Sequence, residues 1–266
     1  MIPKVIHYCW FGGNPLPELE QRCLASWKEH MPDWVYHWWN EDTFDISSAP
    51  LYVRQAYEAR KYAFVSDYVR LWALEKFGGL YMDVDFMVYR PFDGLMTKYA
   101  AFAGYEGSKR QPVMQGVIAS EPHGVWVTDM LRTYEARAFI KGDGSLDMYP
   151  NTQYFTDRLE TQGFVADGNE KDFYLQNDAS SMPNEPLRSM SRTDVLNYGV
   201  FMLHVFPVHY FCPVLTTGED VRNEETYCEH MGESSWAKTG WKGKVLAALG
   251  QKWKTKLIKI KRRILG

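Results

Sequence analysis

The sequence predicts an α/β protein built around a mostly parallel sheet. Short apolar runs alternate with longer segments of helical periodicity, and glycine or proline separates them, which is typical of this class. The chain has 266 residues, of which 45% are hydrophobic, so it can bury a core of ordinary size without disulfides. The sequence contains no run of 18 apolar residues, and we therefore expect no transmembrane helix.

The first half of the chain alternates between predicted strands and predicted helices. Residues 5–11 form an apolar run that ends in a Gly-Gly pair, and Pro17 suits the start of the helix that follows. The segment 62–77 has the clearest 3.6-residue period, and Gly78 suits its end. The predicted strands are 5–11, 34–39 and 80–84, and the predicted helices are 16–30, 51–57 and 62–77.

The second half continues this alternation. Residues 86–89 are apolar and are predicted to extend the strand 80–84. Three further strands and three further helices follow from the same two periods. The predicted strands are 100–103, 113–119 and 201–206, and the predicted helices are 126–139, 151–162 and 245–264.

The cysteines and the N-terminus both favour a protein of the cytoplasm. The four cysteines are Cys9, Cys23, Cys212 and Cys228. They form no CxxC pair, so we expect reduced, packed thiols and no structural zinc site. The first residues lack a charged segment followed by a long apolar one, so we expect no signal peptide.

The charge of the chain is divided unevenly between its two ends. The net charge is −3, but residues 237–266 contain ten Lys or Arg and no acidic residue, which leaves −13 for residues 1–236. We expect one domain over 1–236 and a basic tail over 237–266. The tail has an apolar helical stripe among its lysines, which indicates an amphipathic helix on an anionic membrane through residues 242–265. A helix packed on its own domain is the alternative, and the acidic body disfavours nucleic acid.

An apolar strand leads into two carboxylates, Asp83 and Asp85. At positions i and i+2 of a regular strand, both side chains would point to the same face. Two adjacent carboxylates repel each other unless a cation lies between them, and Mg²⁺ or Mn²⁺ suits such oxygen ligands together with phosphate oxygens. Ligands of open α/β sheets bind beyond the carboxyl ends of strands, so the pair predicts a metal–diphosphate site. A solvated turn is the alternative for this motif taken alone.

The preceding helix carries a second polar pair, Asp67 and Arg70. These residues are three apart and therefore share a helical face. One reading is an acid that accepts sugar or ribose hydroxyls beside a cation. The other is a surface ion pair, which stabilises a helix by only about 0.3 kcal/mol. The apolar character of the rest of the helix favours the first reading.

The two segments together resemble a known family. Residues 63–71 (AFVSDYVRL) and 78–85 (GGLYMDVD) resemble the DXD-containing sugar-transferase family, which includes bacterial capsular and surface-polysaccharide transferases and the fungal initiating mannosyltransferase. The family is related to the core of the clostridial glucosylating toxins. Residues 2–13 resemble its first strand, and residues 226–236 resemble its closing His…Ser-Trp signature. The resemblance implies a GT-A fold, which is a Rossmann-like α/β fold, with a nucleotide-sugar donor, Mn²⁺ or Mg²⁺, and retention at the anomeric carbon.

The resemblance also implies a role for individual residues. Asp85 matches a residue that binds the metal directly. Asp83 matches a residue that contacts the ribose, or contacts the metal through water. His230 matches a further residue of the metal site. The catalytic positions that match are Asp67, Arg70, Asp83 and Asp85. The nucleotide- and sugar-binding positions that match are Trp10, Asp67, Arg70, Tyr81, Asp83, Ser235 and Trp236. Asn40 and His7 are further candidates for lining the nucleotide pocket.

Some of these assignments have competing interpretations. Trp10 taken alone reads as a core aromatic, and His7 reads equally as a core histidine with satisfied hydrogen bonds. Related sequences often have an asparagine where Gln115 stands here, which puts a carried-over sugar contact at this position in doubt.

The sequence therefore predicts a retaining, metal-dependent glycosyltransferase. The expected reaction moves a hexose from a nucleotide sugar, with a UDP-hexose as the expected donor, to a glycan or lipid-linked acceptor in surface-polysaccharide or glycolipid synthesis. The expected location is the cytoplasm, peripheral on the inner face of the cell membrane. The alternative is a catalytically inactive protein that binds nucleotide sugar and anionic membrane.

Overall fold

Strands and helices alternate along the chain as predicted. The computed structural model describes residues 1–107, 112–176 and 200–232, without the side chains of 174–176 and 200–202. The strands are β1 (Val5–Cys9), β2 (Val35–Trp39), β3 (Gly79–Met82), β4 (Phe86–Val88), β5 (Ala101–Gly104), β6 (Val117–Ser120), β7 (Lys171–Gln176), β8 (Val200–Phe206) and β9 (Cys228–His230). The helices are α1 (Glu18–His30), α2 (Leu51–Glu58), α3 (Tyr62–Phe77), α4 (Asp93–Lys98), α5 (Val125–Glu135), α6 (Asn151–Glu160) and α7 (Val208–Phe211), with a 3₁₀ turn at Ile46–Ser48.

Seven strands form the central sheet in the order β2-β1-β3-β6-β5-β8-β7. Strands β1, β2, β3, β5 and β8 run in one direction, and β6 and β7 run against their neighbours. The remaining two strands, β4 and β9, pair with each other in a small antiparallel sheet. The predicted α/β class with a mostly parallel sheet is therefore confirmed.

The central sheet is covered by buried apolar side chains on both faces. Alternate residues of β3 point to opposite sides: Tyr81 belongs to the core under α3 and α5, whereas Leu80 and Met82 belong to the core under α1 and α4. All four cysteines are buried free thiols, as expected. Met1–Met231 form one compact unit.

The turn between α3 and β3 depends on two glycines. Gly78 and Gly79 have φ angles of +64° and +113°, which L side chains rarely adopt. A Cβ atom on Gly79 would lie 2.6 Å from the carbonyl oxygen of Val5, so β3 could not approach β1 closely with any other residue there. These glycines allow the chain to leave α3 and enter the middle of the sheet at once.

Several element predictions are corrected by the structure. The predicted strand 80–84 ends at Met82, and residues 86–88 do not extend it because β4 turns away to pair with β9. The predicted strand 113–119 is regular only in β6. The predicted helix 126–139 ends at Glu135. Helices α4 and α7 and strands β7 and β9 were not predicted.

The predicted helix 245–264 and the basic tail 237–266 lie outside the described residues. Among the residues that are described, no helix has both the length and the apolar character needed to cross a membrane.

Candidate active site at the carboxyl edge of the sheet

The topology brings the predicted site residues to one edge of the sheet. Strands β1 and β3 are parallel neighbours, with Ile6 beside Leu80, so Trp10 and Asp83 follow the same ends of adjacent strands. Strand β6 runs the opposite way, and its preceding segment therefore starts at this same edge. There the backbone N–H of Asp83 donates to the carbonyl of Gly116 at 2.8 Å. This edge is where open α/β sheets bind their ligands.

Arg70 connects α3 to the residues that follow β3. Its guanidinium forms ion pairs with Asp67, at 2.9 Å, and with Asp83, at 3.4 Å. It also donates to the carbonyl oxygen of Gln115 at 2.6 Å. The side chain of Arg70 is only 7% exposed, so the pair is not a surface ion pair on a helix. A buried charge of this kind needs all its partners, because losing one leaves the others unpaired in a poorly solvated site.

Tyr81 holds Asp83 from the interior of the protein. Its ring is 1% exposed and lies 4.7 Å below the Arg70 guanidinium carbon, and its hydroxyl donates to Asp83 Oδ1 at 2.7 Å. A Cβ atom on Gly116 would lie 3.0 Å from the other carboxylate oxygen, Oδ2. Asp83 is therefore fixed through one oxygen and is packed closely against backbone at the other.

Burial gives this cluster unusual electrostatics. It raises the pKa of Asp67 to about 6, with Arg70 opposing the shift. Burial also raises the pKa of Asp83, again opposed by Arg70, and the charge of Asp85 raises it further. The cluster therefore has more negative charge than Arg70 alone neutralises, which favours a bound cation.

Asp85 lies in the turn between β3 and β4 and contacts a different partner. His230 stands opposite Phe86 in the β4–β9 pair, and its Nε2 lies 3.1 Å from Asp85 Oδ2. The backbone N–H of Met231 donates to the Asp85 carbonyl at 2.8 Å. Burial lowers the pKa of His230, but the hydrogen bond and charge of Asp85 outweigh it and raise the pKa overall.

We expected the two carboxylates to share one face of a strand, but they do not. Both lie beyond the last residue of β3, where the chain turns, with Phe86 N–H donating to the Asp83 carbonyl at 3.2 Å. Asp83 turns inward to Arg70, whereas Asp85 turns to His230. The i, i+2 spacing is therefore a property of a turn here, and the turn exists because β4 pairs outside the main sheet.

The site residues suit a hard divalent cation that would take only some of its ligands from the protein. In the described part of the chain, no three His, Cys, Asp or Glu side chains form a ready-made metal cage. Mg²⁺ and Mn²⁺ do not require one, since they bind through one or two carboxylates and take further oxygens from substrate phosphates. Asp83 and Asp85 supply such carboxylates, and His230 supplies a nitrogen beside them.

The structure places the remaining predicted residues as follows. Trp10 is half-buried just after β1 and donates its indole N–H to the carbonyl of Asn14 at 2.7 Å. Asn40 follows β2, and its side-chain oxygen accepts the backbone N–H groups of Asp42 and Thr43. Both therefore lie at the carboxyl edge. Ser235 and Trp236 lie outside the described residues.

His7 is a core residue. It is fully buried, its Nε2 is 2.8 Å from the Gly78 carbonyl, and its Nδ1 accepts the indole N–H of Trp39 at 3.2 Å. Its two ring nitrogens are thus both satisfied inside the protein, which resolves the two interpretations that the sequence left open.

Two residues at this edge were not assigned to the site from the sequence. Gly116 allows the close approach of Asp83 described above. Glu106 lies two residues beyond the end of β5 and is half-buried; burial raises its pKa, and His230 partly offsets this shift. The available signal for Glu106 was its place after an apolar strand, the same signal that identified Asp83. Nothing in the sequence marks Gly116, because its role depends on a contact between distant segments.

Part of the chain is similar to known glycosyltransferases. Residues 17–102 match a family described as "Glycosyltransferase sugar-binding region containing DXD motif". "Glucan organizing enzyme 1" of Cryptococcus neoformans is 24% identical over 167 residues, which cover 51% of this chain and 44% of that protein. "Inositol phosphoceramide mannosyltransferase 3" of Schizosaccharomyces pombe is 32% identical over 99 residues, covering 36% and 27%. The chain thus spans less than half the length of either relative.

A solved structure, "PaToxG Glycosyltransferase", is also similar. It is 17% identical, with a TM-score of 0.44 over 60% of this chain and 70% of that one.

The matched residues 17–102 contain α3, the turn after β3 and hence Asp67, Arg70, Asp83 and Asp85. In the described sheet, the carboxylate pair follows the end of β3. Through these residues, about a third of the chain is similar to the family of glycosyltransferase sugar-binding regions that contain a DXD motif.

Proposed function

We propose that the protein is a retaining, metal-dependent glycosyltransferase that moves a hexose from a nucleotide sugar to a glycan or lipid-linked acceptor. The observation that carries the proposal is the pair Asp83 and Asp85, which lies at the carboxyl edge of the sheet between a buried arginine and a histidine. Its position inside the matched family region supports sugar transfer over other uses of paired carboxylates.

The carboxylates fit the metal and diphosphate of such a donor. Asp85 would bind the cation directly, and Asp83 would contact it or the ribose, with His230 beside them. A divalent cation held there supplies electrostatic stabilisation of the leaving diphosphate, on the order of several kcal/mol. The ring of His230, which lies 3.1 Å from Asp85, would donate a hydrogen bond towards a phosphate oxygen.

Asp67 and Arg70 have separate tasks in this proposal. Asp67 would accept hydroxyls of the donor sugar, since its carboxylate is 15% exposed. Arg70 is surrounded by Asp67, Asp83, Gln115 and Tyr81, so it would position the two acids. The acceptor hydroxyl attacks the anomeric carbon on the face the diphosphate leaves, the carbon–oxygen bond to phosphate breaks, and the departing phosphate oxygen takes the hydroxyl proton.

The basic tail supports an acceptor at a membrane. Its lysines and apolar stripe would place the domain on an anionic lipid surface at the inner face of the cell membrane. A lipid-linked glycan or a glycolipid presents its sugar at that surface, which makes it the acceptor class we propose.

The test is a panel of nucleotide sugars with Mn²⁺, read by slow donor hydrolysis and by thermal shift. The panel contains UDP-glucose, UDP-galactose, their N-acetyl forms and GDP-mannose. We expect one donor to be hydrolysed, with at least a 100-fold loss for Asp85→Asn, because metal stabilisation on the order of several kcal/mol is removed. EDTA is expected to abolish hydrolysis, and Mn²⁺ to restore it.

Asp33→Asn is the matched control for this substitution. Asp33 is an exposed carboxylate that precedes β2 and lies beside Lys4, which precedes β1, so both lie at the opposite edge of the sheet. Full activity of Asp85→Asn, or a hydrolysis rate that is unchanged by EDTA, would contradict the metal assignment. Stabilisation by a donor without hydrolysis or transfer, in the presence of anionic vesicles, would instead favour the inactive binding protein.

A further inference from the structure

The strand that carries His230 is held by few backbone contacts. Strand β9 has three residues and, among the described strands, pairs with β4 alone, outside the central sheet. A two-stranded sheet is marginally stable by itself, so side-chain contacts are needed to fix β9. The position of β9 matters because its last residue, His230, lies 3.1 Å from Asp85.

Glu229, the middle residue of β9, makes two charge-assisted contacts. Its side chain is only 12% exposed, and its Oε2 lies 2.9 Å from a guanidinium nitrogen of Arg222. The same oxygen accepts the hydroxyl of Tyr89 at 2.5 Å. Burial and this hydrogen bond raise the pKa of Tyr89 to about 12, so the hydroxyl keeps its proton and donates. Hydrogen bonds to a charged group are stronger than those between neutral groups.

Tyr89 and Arg222 belong to two segments that adjoin β9. Tyr89 directly follows β4, and its backbone N–H donates to the carbonyl of Tyr227 at 2.8 Å. Arg222 lies in the loop before β9, where Asp220 accepts its guanidinium at 2.7 Å and its backbone N–H at 3.0 Å. The three side chains of Tyr89, Arg222 and Glu229, which we call the β9 latch, therefore join β9 to the segments before and beside it.

The β9 latch and the His230 ring lie on opposite sides of the strand. Successive residues of a strand point to opposite faces, so Glu229 points away from the side chains of Cys228 and His230. On the other face, Cys228 is fully buried, and the His230 ring lies 4.9 Å from the ring of Phe86. The latch therefore acts on His230 through the backbone of β9.

We propose that Tyr89, Arg222 and Glu229 are positioning residues, which hold β9 in the register that presents His230 to a divalent cation beside Asp85. The proposal rests on the function proposed above, since that function supplies the cation. Asp83 has its own contacts with Arg70 and Tyr81. Loosening β9 would therefore weaken metal binding without dismantling the rest of the site.

The test measures Mn²⁺ binding to the full chain through the EPR signal of free Mn²⁺. The titration is made with Mn²⁺ alone and then with UDP, against a protein-free UDP control. Glu229→Gln keeps the shape of the side chain but removes the charge that both contacts use. We expect its dissociation constant for Mn²⁺ to rise about 10-fold or more, as is typical when a residue that orients a metal ligand is changed. Donor hydrolysis should recover when the Mn²⁺ concentration is raised.

Tyr89→Phe is the second variant, which keeps the ring and removes only the hydroxyl. It loses one of the two contacts to Glu229, so we expect a smaller rise in the dissociation constant for Mn²⁺. If Glu229→Gln does not fold, Tyr89→Phe replaces it in every measurement.

A double-mutant cycle with His230→Ala tests the route of the effect. His230→Ala should weaken Mn²⁺ binding by itself, because it removes the nitrogen beside Asp85. If the β9 latch acts through His230, adding Glu229→Gln to His230→Ala should cause no further loss of affinity. A full further loss would show that Glu229 acts by another route and would overturn the proposal.

Asp129→Asn is the matched control. The Asp129 side chain is 26% exposed and accepts two hydrogen bonds from the Arg158 guanidinium, at 2.7 and 2.8 Å, between α5 and α6. This substitution also breaks a partly buried ion pair. We expect a lower melting temperature and unchanged Mn²⁺ binding.

The outcomes separate this proposal from the proposed function. If wild type binds Mn²⁺ and Glu229→Gln has a lower melting temperature but binds Mn²⁺ equally well, the β9 latch is only structural. The proposal is then overturned, whereas the proposed function stands. If wild type binds no Mn²⁺ with or without UDP, the metal-dependent function fails, and the proposal fails with it.

Discussion

At the scale of single residues, burial decides what each polar side chain does. The sequence favoured a functional pair of Asp67 and Arg70 over a surface ion pair, and Arg70 is indeed only 7% exposed and bridges to Asp83. Tyr81 was expected beside the nucleotide; it is buried and acts on Asp83 through its hydroxyl. The residue types pointed to a candidate site, but the direction of each side chain depends on its neighbours from other segments.

His7 provides a prediction for the pH dependence of stability. Burial lowers its pKa from 6.5 to about 4, and both ring nitrogens are bonded in the neutral form. Between these values the unfolded chain binds a proton that the folded protein does not, so stability falls as pH drops from 6.5 towards 4. The loss is on the order of 3 kcal/mol at most.

Urea unfolding of wild type and His7→Gln between pH 4 and 7.5 measures this effect. We expect the variant to be less stable at pH 7.5 but to lose less stability on acidification. Equal slopes for the two proteins would show that His7 does not contribute to the acid sensitivity.

At the scale of elements, the turn from α3 into β3 places the site. The helix ends where Gly78 and Gly79 adopt positive φ, and β3 then runs back beside β1 to deliver Asp83 to the edge that also receives Arg70. The second element of importance is the β4–β9 pair, which brings His230 to Asp85. The sequence predicted α3 with its observed bounds because its period is strong, whereas β9 has three residues and gave no signal.

Gly79→Ala tests the helix–strand turn. The new Cβ would lie 2.6 Å from the Val5 carbonyl in a backbone conformation with φ of +113°, so neither backbone can accommodate it without a shift. We expect a loss of about 1–3 kcal/mol in the free energy of unfolding, measured by urea titration. Gly94→Ala is the control, since its Cβ meets no atom within 4 Å and its φ is ordinary. Equal stability of the two variants would disprove the argument.

At the scale of the whole molecule, an acidic domain precedes a basic end. Residues 1–236 have a net charge of −13, and ten basic residues are concentrated in 237–266. We propose that the basic end binds anionic lipid; the acidic domain by itself would be repelled by such a surface.

Vesicle sedimentation of the full chain tests this arrangement. Replacing Lys252, Lys254, Lys256 and Lys259 by Gln is expected to weaken binding to phosphatidylglycerol vesicles at least 100-fold, at roughly 1 kcal/mol for each lysine. Binding should also weaken as salt rises. The control replaces Lys28, Lys61, Lys98 and Lys141 in the domain and should bind as wild type does. Equal effects of the two sets would refute a specific role of the tail.

The sequence by itself determined the α/β class and the long helix α3, and it pointed to Asp67, Arg70, Asp83 and Asp85 as a candidate site. These follow from local patterns: hydrophobic period, glycine ends and carboxylates after an apolar strand. The tertiary structure alone decided that Asp83 and Asp85 turn to different partners, that His7 is a core residue, and that Gly116 lies against Asp83. Those features depend on contacts between segments far apart in the chain, and the energies of such contacts have no local signature in the sequence.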